Sequence, residues 1–378
     1  MEALEEKESP IDFNVFVGAE TGIFKGLNLN TKAVIRKNIN SIKTLTRDYG
    51  ITALAWGNQE QTEVLVACKN RTVQVYDTDN NEYVATQQID VGEGPIVSLA
   101  RYNGVTLTAV KSGQVTLWRN NDPLEINALH TGDTLARMRQ SPVSPNLIAT
   151  GGKENELQLW DLEKPESSLF KAKNVRHTML NLRVPVWVTD MAFLEDNRTV
   201  AISTRYKTIR LYDPGRQRRP VMAFDWGEYP LTCIAPVSGS GTKVVVGSAH
   251  GRAAQFDFRG RSPEVPFHSF KGIAGAVRDI KCHPELSLTF MVGLDRFLRV
   301  YSLKSGRLLY NEYLKSRLNC LLIRDNMTAE EIIPVVQKKS VKRKKNVEKN
   351  EEIDVEEENK HSKTKMKKSD DDWAALTL

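Results

Sequence analysis

The strongest constraint on this chain is a spacing. Six alternating apolar runs carry an aromatic residue at or near their end: RTVQVYD (Tyr76), GQVTLWR (Trp118), NELQLWD (Trp160), KTIRLYD (Tyr212), RAAQFDF (Phe256) and RFLRVYS (Tyr301). Successive aromatics lie 42, 42, 52, 44 and 45 residues apart. A period of roughly 40 to 45 residues is that of a β-propeller blade, in which each repeat is a small sheet that cannot bury its faces alone. Upstream of each run comes a second strand of small and β-branched residues, such as EVLVAC, LIATGG and KVVVGS. Before that lies a third, such as ITALAWG, VTDMAFL and VRDIKCHP. Residues i, i+2 and i+4 share a face, and these strands present apolar rows on both, as sheets wedged between neighbours require.

The ends complete the pattern. FNVFVGAETGIFKGLNL, near the N-terminus, supplies two strands of a unit, with Gly22 and Leu27 spaced like Gly251 and Phe256, but has no first strand. RLNCLLI supplies that strand from the other end. Closing a sheet ring removes free edges. The expectation is therefore an all-β, seven-bladed propeller over residues 13–325. Its closing blade is shared by residues 13–50 and 318–323, with a flexible N-terminus (1–12) and a disordered charged tail (326–378).

Composition narrows the setting. Four cysteines among 378 residues, Cys68, Cys233, Cys282 and Cys320, are far apart, with no Cys-x-x-Cys pair and no histidine at metal-binding spacing. That points to a reducing compartment. With no run of about 18 apolar residues and an acidic start, MEALEEKESP, a soluble intracellular protein with no membrane contact is expected. Residues 327–378 hold 12 Lys/Arg and 12 Asp/Glu, so the +6 net charge belongs to residues 1–326. No Gly-rich phosphate loop, Gly-x-Ser-x-Gly elbow or histidine pairing is present. The expectation is a non-enzyme with no cofactor, metal or small-molecule substrate.

Period and strand order together resemble the WD-repeat family. The copies are poor ones: no Gly-His dipeptide occurs, and the aspartate six residues before the aromatic appears only as Asp295. The resemblance implies an Asp-His-Ser-Trp hydrogen-bond network in each blade, which should here be mostly missing.

The 52-residue interval holds an insert, KPESSLFKAKNVRHTMLNLRVPVW, and loops are where propellers carry function. It combines Lys171, Lys173, Arg176, His177 and Arg183 with Leu180, Leu182, Val184 and Trp187. It is either a binding loop or a lengthened outer strand packed on its own blade. The next loop presents Arg216, Arg218 and Arg219, preceded by Arg205, Lys207 and Arg210, so this sector is strongly basic. Guanidinium forks suit phosphate or carboxylate. With no aromatic stacking partners nearby, any RNA contact would be to backbone phosphate.

KAKNVRHTMLNLRVPVW, RRPV, GEYPLT, GLDRFLRVY and YLKSRLNCLL resemble, more closely, a nucleolar WD-repeat family of large-ribosomal-subunit assembly factors and its fungal counterpart. The resemblance implies a scaffold that docks on pre-ribosomal particles beside other assembly proteins and is later removed by an AAA-type ATPase, as a monomer within a large complex. Where that family tends to place an aromatic and an acidic residue in the insert, this chain has Met179 and Asn181.

Past Asp325 charge comes in blocks. Lys338, Lys339, Lys342, Arg343, Lys344 and Lys345 read as nuclear or nucleolar targeting, or as part of a solubilising tail. The last residues offer Trp373, Leu376 and Leu378 as a short amphipathic anchor for a partner's groove, or as a frayed end. FDFRGR, Phe256 to Arg261, approximates the Trp-Asp-x-Arg element by which some WD-repeat proteins join cullin ubiquitin ligases. A ligase substrate receptor, or a generic nuclear scaffold, is thus the alternative reading.

Overall fold

A computed structural model describes residues 12–29, 34–41, 45–119, 122–123 (backbone only), 129–196 and 198–327. The expected N-terminal segment up to residue 11 and the tail from 328 onward, with the basic block at 338–345 and Trp373, Leu376 and Leu378, lie outside the described residues. Apart from a 3-10 turn at Arg47–Tyr49, the named elements are strands.

The chain begins with β1 (Val15–Ala19), β2 (Phe24–Asn28) and β3 (Ile35–Asn38). Blade 2 is β4 (Ile51–Trp56), β5 (Glu63–Cys68), β6 (Thr72–Asp77) and β7 (Glu82–Gln88). Blade 3 is β8 (Ile96–Tyr102), β9 (Val105–Val110) and β10 (Gln114–Arg119), its outer edge broken into β11 (Asp122–Pro123) and β12 (Leu129–His130), which both pair with β10. Blade 4 is β13 (Leu135–Gln140), β14 (Leu147–Gly152), β15 (Asn155–Asp161) and the two-residue β16 (Phe170–Lys171). Blade 5 is β17 (Val188–Phe193), β18 (Val200–Thr204), β19 (Thr208–Tyr212) and β20 (Met222–Asp225). Blade 6 is β21 (Leu231–Pro236), β22 (Lys243–Ser248), β23 (Ala253–Asp257) and β24 (His268–Phe270), and blade 7 is β25 (Val277–Cys282), β26 (Leu288–Gly293), β27 (Phe297–Ser302) and β28 (Leu308–Tyr313). Finally β29 (Leu318–Ile323) returns to pair antiparallel with β1, so the closing blade reads β29-β1-β2-β3. The chain is an all-β, seven-bladed propeller.

Strand alternation builds the core between blades. In β1, Val15 and Val17 face blade 7, among Phe290, Val292, Leu298 and Val300. Phe16 faces the other way, onto Val64, Val66 and Tyr76 of blade 2. The repeat aromatics sit in these wedges, with Tyr76, Tyr212, Phe256 and Tyr301 all fully buried. Strands β5, β9 and β22 are buried on both faces, which explains their small and β-branched composition. Blades approach too closely for larger side chains at some points: a Cβ on Gly18 would lie 2.6 Å from Ile51 Cγ2 of the next blade.

Each inner strand, β4, β8, β13, β17, β21, β25 and β29, is irregular at its second residue, where the register shifts. As the edge of its sheet, each inner strand also turns alternate backbone amides away from its ladder. In three blades the preceding blade supplies the acceptor from the third residue of its own inner strand. Met138 N donates to Ser98 Oγ (2.9 Å), Ile234 N to Asp190 Oδ2 (3.3 Å) and Leu321 N to Asp279 Oδ2 (3.0 Å).

The two aspartates also anchor charges. Arg139 of blade 4 grips Asp190 of blade 5 with two hydrogen bonds of 2.9 Å and reaches 3.9 Å from Asp279 of blade 7, spanning the ring interior between non-adjacent blades. Burial alone would raise the Asp190 pKa; the Arg139 and Arg137 charges outweigh it and hold this carboxyl below its ordinary value.

As for the repeat signature, Trp118 and Trp160 keep one link, their Nε1 atoms donating to Thr108 Oγ1 (2.8 Å) and Thr150 Oγ1 (3.0 Å). Asp295 pairs with Arg299 and caps Phe297 N rather than binding a histidine.

Because the Asp190 pKa is depressed, its contribution is complete above the ordinary carboxylate pKa of 3.8 and is lost as pH falls below it. Asp190→Ala leaves the partly exposed Arg139 without its main partner and Ile234 N without its acceptor, and should cost about 2–4 kcal/mol, toward the lower end for a broken buried pair because water reaches Arg139. Denaturant titrations at pH 7 and at acidic pH check this: the variant should also show a shallower acid loss than the wild type.

Candidate partner-binding face

The insert is not a lengthened strand. After β16, Ala172 N still bonds Leu157 O (2.9 Å), and then the chain leaves the sheet. Phe170, Ala172 and Val186 remain in the wedge between blades 4 and 5. Beyond them Met179, Leu180 and Leu182 project outward, 105%, 80% and 61% exposed. Of the two expectations, packing on its own blade holds for the roots of the insert and fails for its tip.

The tip is a fixed shape. Thr178 N donates to Leu182 O (3.0 Å), Leu182 N to Thr178 Oγ1 (3.2 Å), and Asn181 takes a positive φ of 59° to turn the chain. Asn is among the few non-glycine residues that adopt this region readily. At the base, Asn174 ties four points together. Its Oδ1 accepts from Arg210 (3.1 Å) and from Val175 N (2.8 Å), its Nδ2 donates to Val184 O, and its carbonyl accepts from Arg219 Nε (3.3 Å). Beneath it the Arg210 side chain is buried, and burial raises the Glu156 carboxyl above its usual value despite the Arg210 and Arg183 charges.

The predicted cations divide into groups. Lys171, Lys173 and Arg176 are exposed along the insert. Arg183 pairs with Glu154 at 3.0 Å. Arg218 and Arg219 are exposed but spend Nε on holding the insert: Arg218 Nε donates to Lys171 O (2.8 Å), and Lys173 N donates to Arg218 O (2.8 Å). Arg216 lies in the turn after β19, at the opposite end of that strand from Arg205 and Lys207, so the three are not one patch. Lys207 is half-buried in the tight turn before β19, at φ 66°. Phe256 is fully buried and Arg259 and Arg261 are exposed in the turn after β23.

Trp187 joins the insert to the ring interior. It bridges to Lys153 and accepts Arg205 N at its carbonyl (2.9 Å), while the Lys153 ammonium lies 5.2 Å and the Arg205 guanidinium 4.4 Å from its ring centre. Such cation–π contacts contribute about 0.5–2 kcal/mol. Nearby, Tyr229 stacks on His250 at 4.1 Å, with Arg252 over it at 6.0 Å. Against the expectation of no stacking partners near the cations, Trp187 and Tyr229 lie beside them, with their faces engaged within the chain. Tyr229 precedes inner strand β21, and His250 lies in the turn between β22 and β23 of the same blade.

Among the described residues, no group of His, Cys, Asp and Glu is arranged to hold a metal ion. The buried thiols of Cys233 and Cys320 are pushed well above their usual pKa by burial.

No protein-family model matches the chain. It is 41% identical over 326 residues to WD repeat-containing protein 74 of Bos taurus, covering 84% of this chain and 83% of the relative. The protein of the same name from Homo sapiens is 41% identical over 328 residues, with the same coverage. Ribosome biogenesis protein nsa1 of Schizosaccharomyces pombe is 27% identical over 328 residues, covering 77% of this chain and 82% of the relative.

Asn174→Ala removes the anchor at the insert base and leaves Arg210 without that acceptor. A loss of about 1–3 kcal/mol is expected, with faster hydrogen exchange confined to residues 176–184. Unchanged exchange there would show that the insert is held by other contacts.

Proposed function

The chain belongs to the family of WD repeat-containing protein 74, and from that premise we propose that it is a non-enzymatic interaction scaffold in assembly of the large ribosomal subunit, working in the nucleolus and nucleus. The name of the fungal relative, a ribosome biogenesis protein, supports the process. The observation that carries the mode of action is the insert: a hydrogen-bonded turn whose Met179, Leu180 and Leu182 stand in solvent, flanked by Lys171, Lys173 and Arg176. Exposed apolar anchors ringed by polar groups mark protein contact sites. Cations at the rim speed encounter and fix register with acidic surfaces more than they add affinity.

In this reading the tip enters an apolar pocket of another pre-ribosomal assembly protein, and the flanking cations meet acidic side chains or ribosomal RNA phosphate. Binding and timed release constitute the whole mechanism, with an AAA-type ATPase supplying the work of removal. A rigid ring suits forced removal, since a pull on one loop is borne by the closed structure.

Lys171→Glu, Lys173→Glu and Arg176→Glu together should shift the protein from large pre-ribosomal particles to the free fraction in sucrose gradients. Its thermal midpoint should stay within about 2 °C of wild type, as surface changes away from buried contacts stay within about 0.5 kcal/mol each. Unchanged co-sedimentation would contradict the role given to the insert.

A further inference from the structure

The ring has a second candidate site, apart from the insert tip. A cavity of roughly 660 Å³ opens on the face that carries Trp187, at the mouth of the central channel, and all seven inner strands line it with their second, bulged residues. These residues spend their polar atoms inside the ring. Thr232 Oγ1 donates to Val277 O (2.6 Å), Thr189 Oγ1 to Ser203 O (3.0 Å), and Asn319 Nδ2 to Ile51 O (3.1 Å). The donors left to face the cavity are guanidinium groups: Arg205 and Arg278 are exposed at its wall, and Arg137 stands deeper, lining both this cavity and the one on the opposite side. Arg137 Nε is buried without a hydrogen bond, 3.7 Å from Asp190 Oδ1. Arg137 thus already answers the buried Asp190, and the one acidic side chain lining the cavity, Glu20, is paired with Arg317 at 3.7 Å, which leaves Arg205 and Arg278 without an acidic partner at the wall. Trp187, Pro230 and Leu231 supply apolar wall.

We propose that this mouth binds a short extended segment of a partner protein that alternates acidic and apolar residues, its carboxylates meeting Arg205 and Arg278. Charge complementarity selects carboxylate, which guanidinium can take in a bidentate manner, and a cavity of this size holds several side chains. Single-stranded RNA fits less well, because it binds through aromatic faces open to its bases, and here Trp187 is covered by Lys153 and Arg205, and Tyr229 by His250. Whether the chain's own acidic residues beyond 327 occupy the mouth is read by the test below. The proposal goes beyond the ribosomal reading and does not rest on the insert.

Fluorescence anisotropy of the full chain tests it, with a labelled peptide alternating glutamate and leucine, and a labelled oligouridylate of equal charge as competitor. The peptide should bind in preference to the oligouridylate. Arg205→Glu with Arg278→Glu should weaken it by more than about tenfold, given the strength of hydrogen bonds to charged groups. Arg259→Glu with Arg261→Glu, an equal change of charge elsewhere, should not. If the double reversal fails to fold, Arg205→Gln with Arg278→Gln should give a smaller loss in the same direction. Equal losses from both pairs, or stronger binding of the oligouridylate, would overturn the proposal. So would peptide binding that emerges only after residues 328–378 are removed, which would make the tail the occupant.

Discussion

The structure depends on one pairing, β29 on β1. Every blade needs neighbours on both sides to bury its faces, and a row of such sheets has two raw ends unless it closes. Strand β29 ends the row. It buries Leu318, Leu321, Leu322 and Ile323, each 6% exposed or less, and burial of such side chains is worth about 1.5–3 kcal/mol apiece. Four of them match the net stability of about 5–15 kcal/mol typical of folded proteins. Polar contacts seat the same segment against blade 2: Trp56 Nε1 donates to Ile323 O (3.2 Å), and the buried Arg324 donates to Thr78 Oγ1 (2.8 Å) and Gln61 O (3.2 Å). Residues more than 240 apart in the chain are thereby held together.

Closure also solves a polar problem. Each inner strand is the edge of its sheet, and the amides it turns away from its ladder would be costly to bury unpaired. Ser98, Asp190 and Asp279 answer this from the preceding blade, and the aspartates then require cations, which Arg139 and Arg137 provide. The interior charges thus answer the open edges of the inner strands, and the bulged second residues of those strands line the channel mouth. Removing one partner of such a group costs more than the group contributes net, so the network fixes the arrangement of blades 4, 5 and 7 relative to one another.

Much of this is legible in the sequence, for an identifiable reason. Blade burial imposes period 2 on both faces and a fixed repeat length, so six aromatics and the stray RLNCLLI run suffice to count the blades and to find the clasp. Individual contacts between blades leave weaker traces. Asp190 and Asp279 both stand third in their inner strands, in VTDMAFL and VRDIKCHP, and that coincidence was the available signal for the capping role. Arg218 and Arg219 read as free cations because nothing local shows that blade 5 will set them against the insert's carbonyls. Arg205 and Trp187, 18 residues apart, meet only because β17 and β18 form a hairpin. The exposure of Met179, Leu180 and Leu182 was hidden by their composition, which fits a buried strand equally well.

A scaffold of this kind works because its loops are displayed by something that does not yield. If the closed ring is the basis of the fold, its blades open together. Native-state hydrogen exchange measures this most directly, through the opening free energies of the amides in β1 and β29 beside those of the inner strands β8 and β21. The account predicts one shared value, equal to the global unfolding free energy and falling in parallel with added denaturant. If β1 and β29 exchange through a separate, lower-energy opening while the other inner strands stay protected, closure is not what holds the ring.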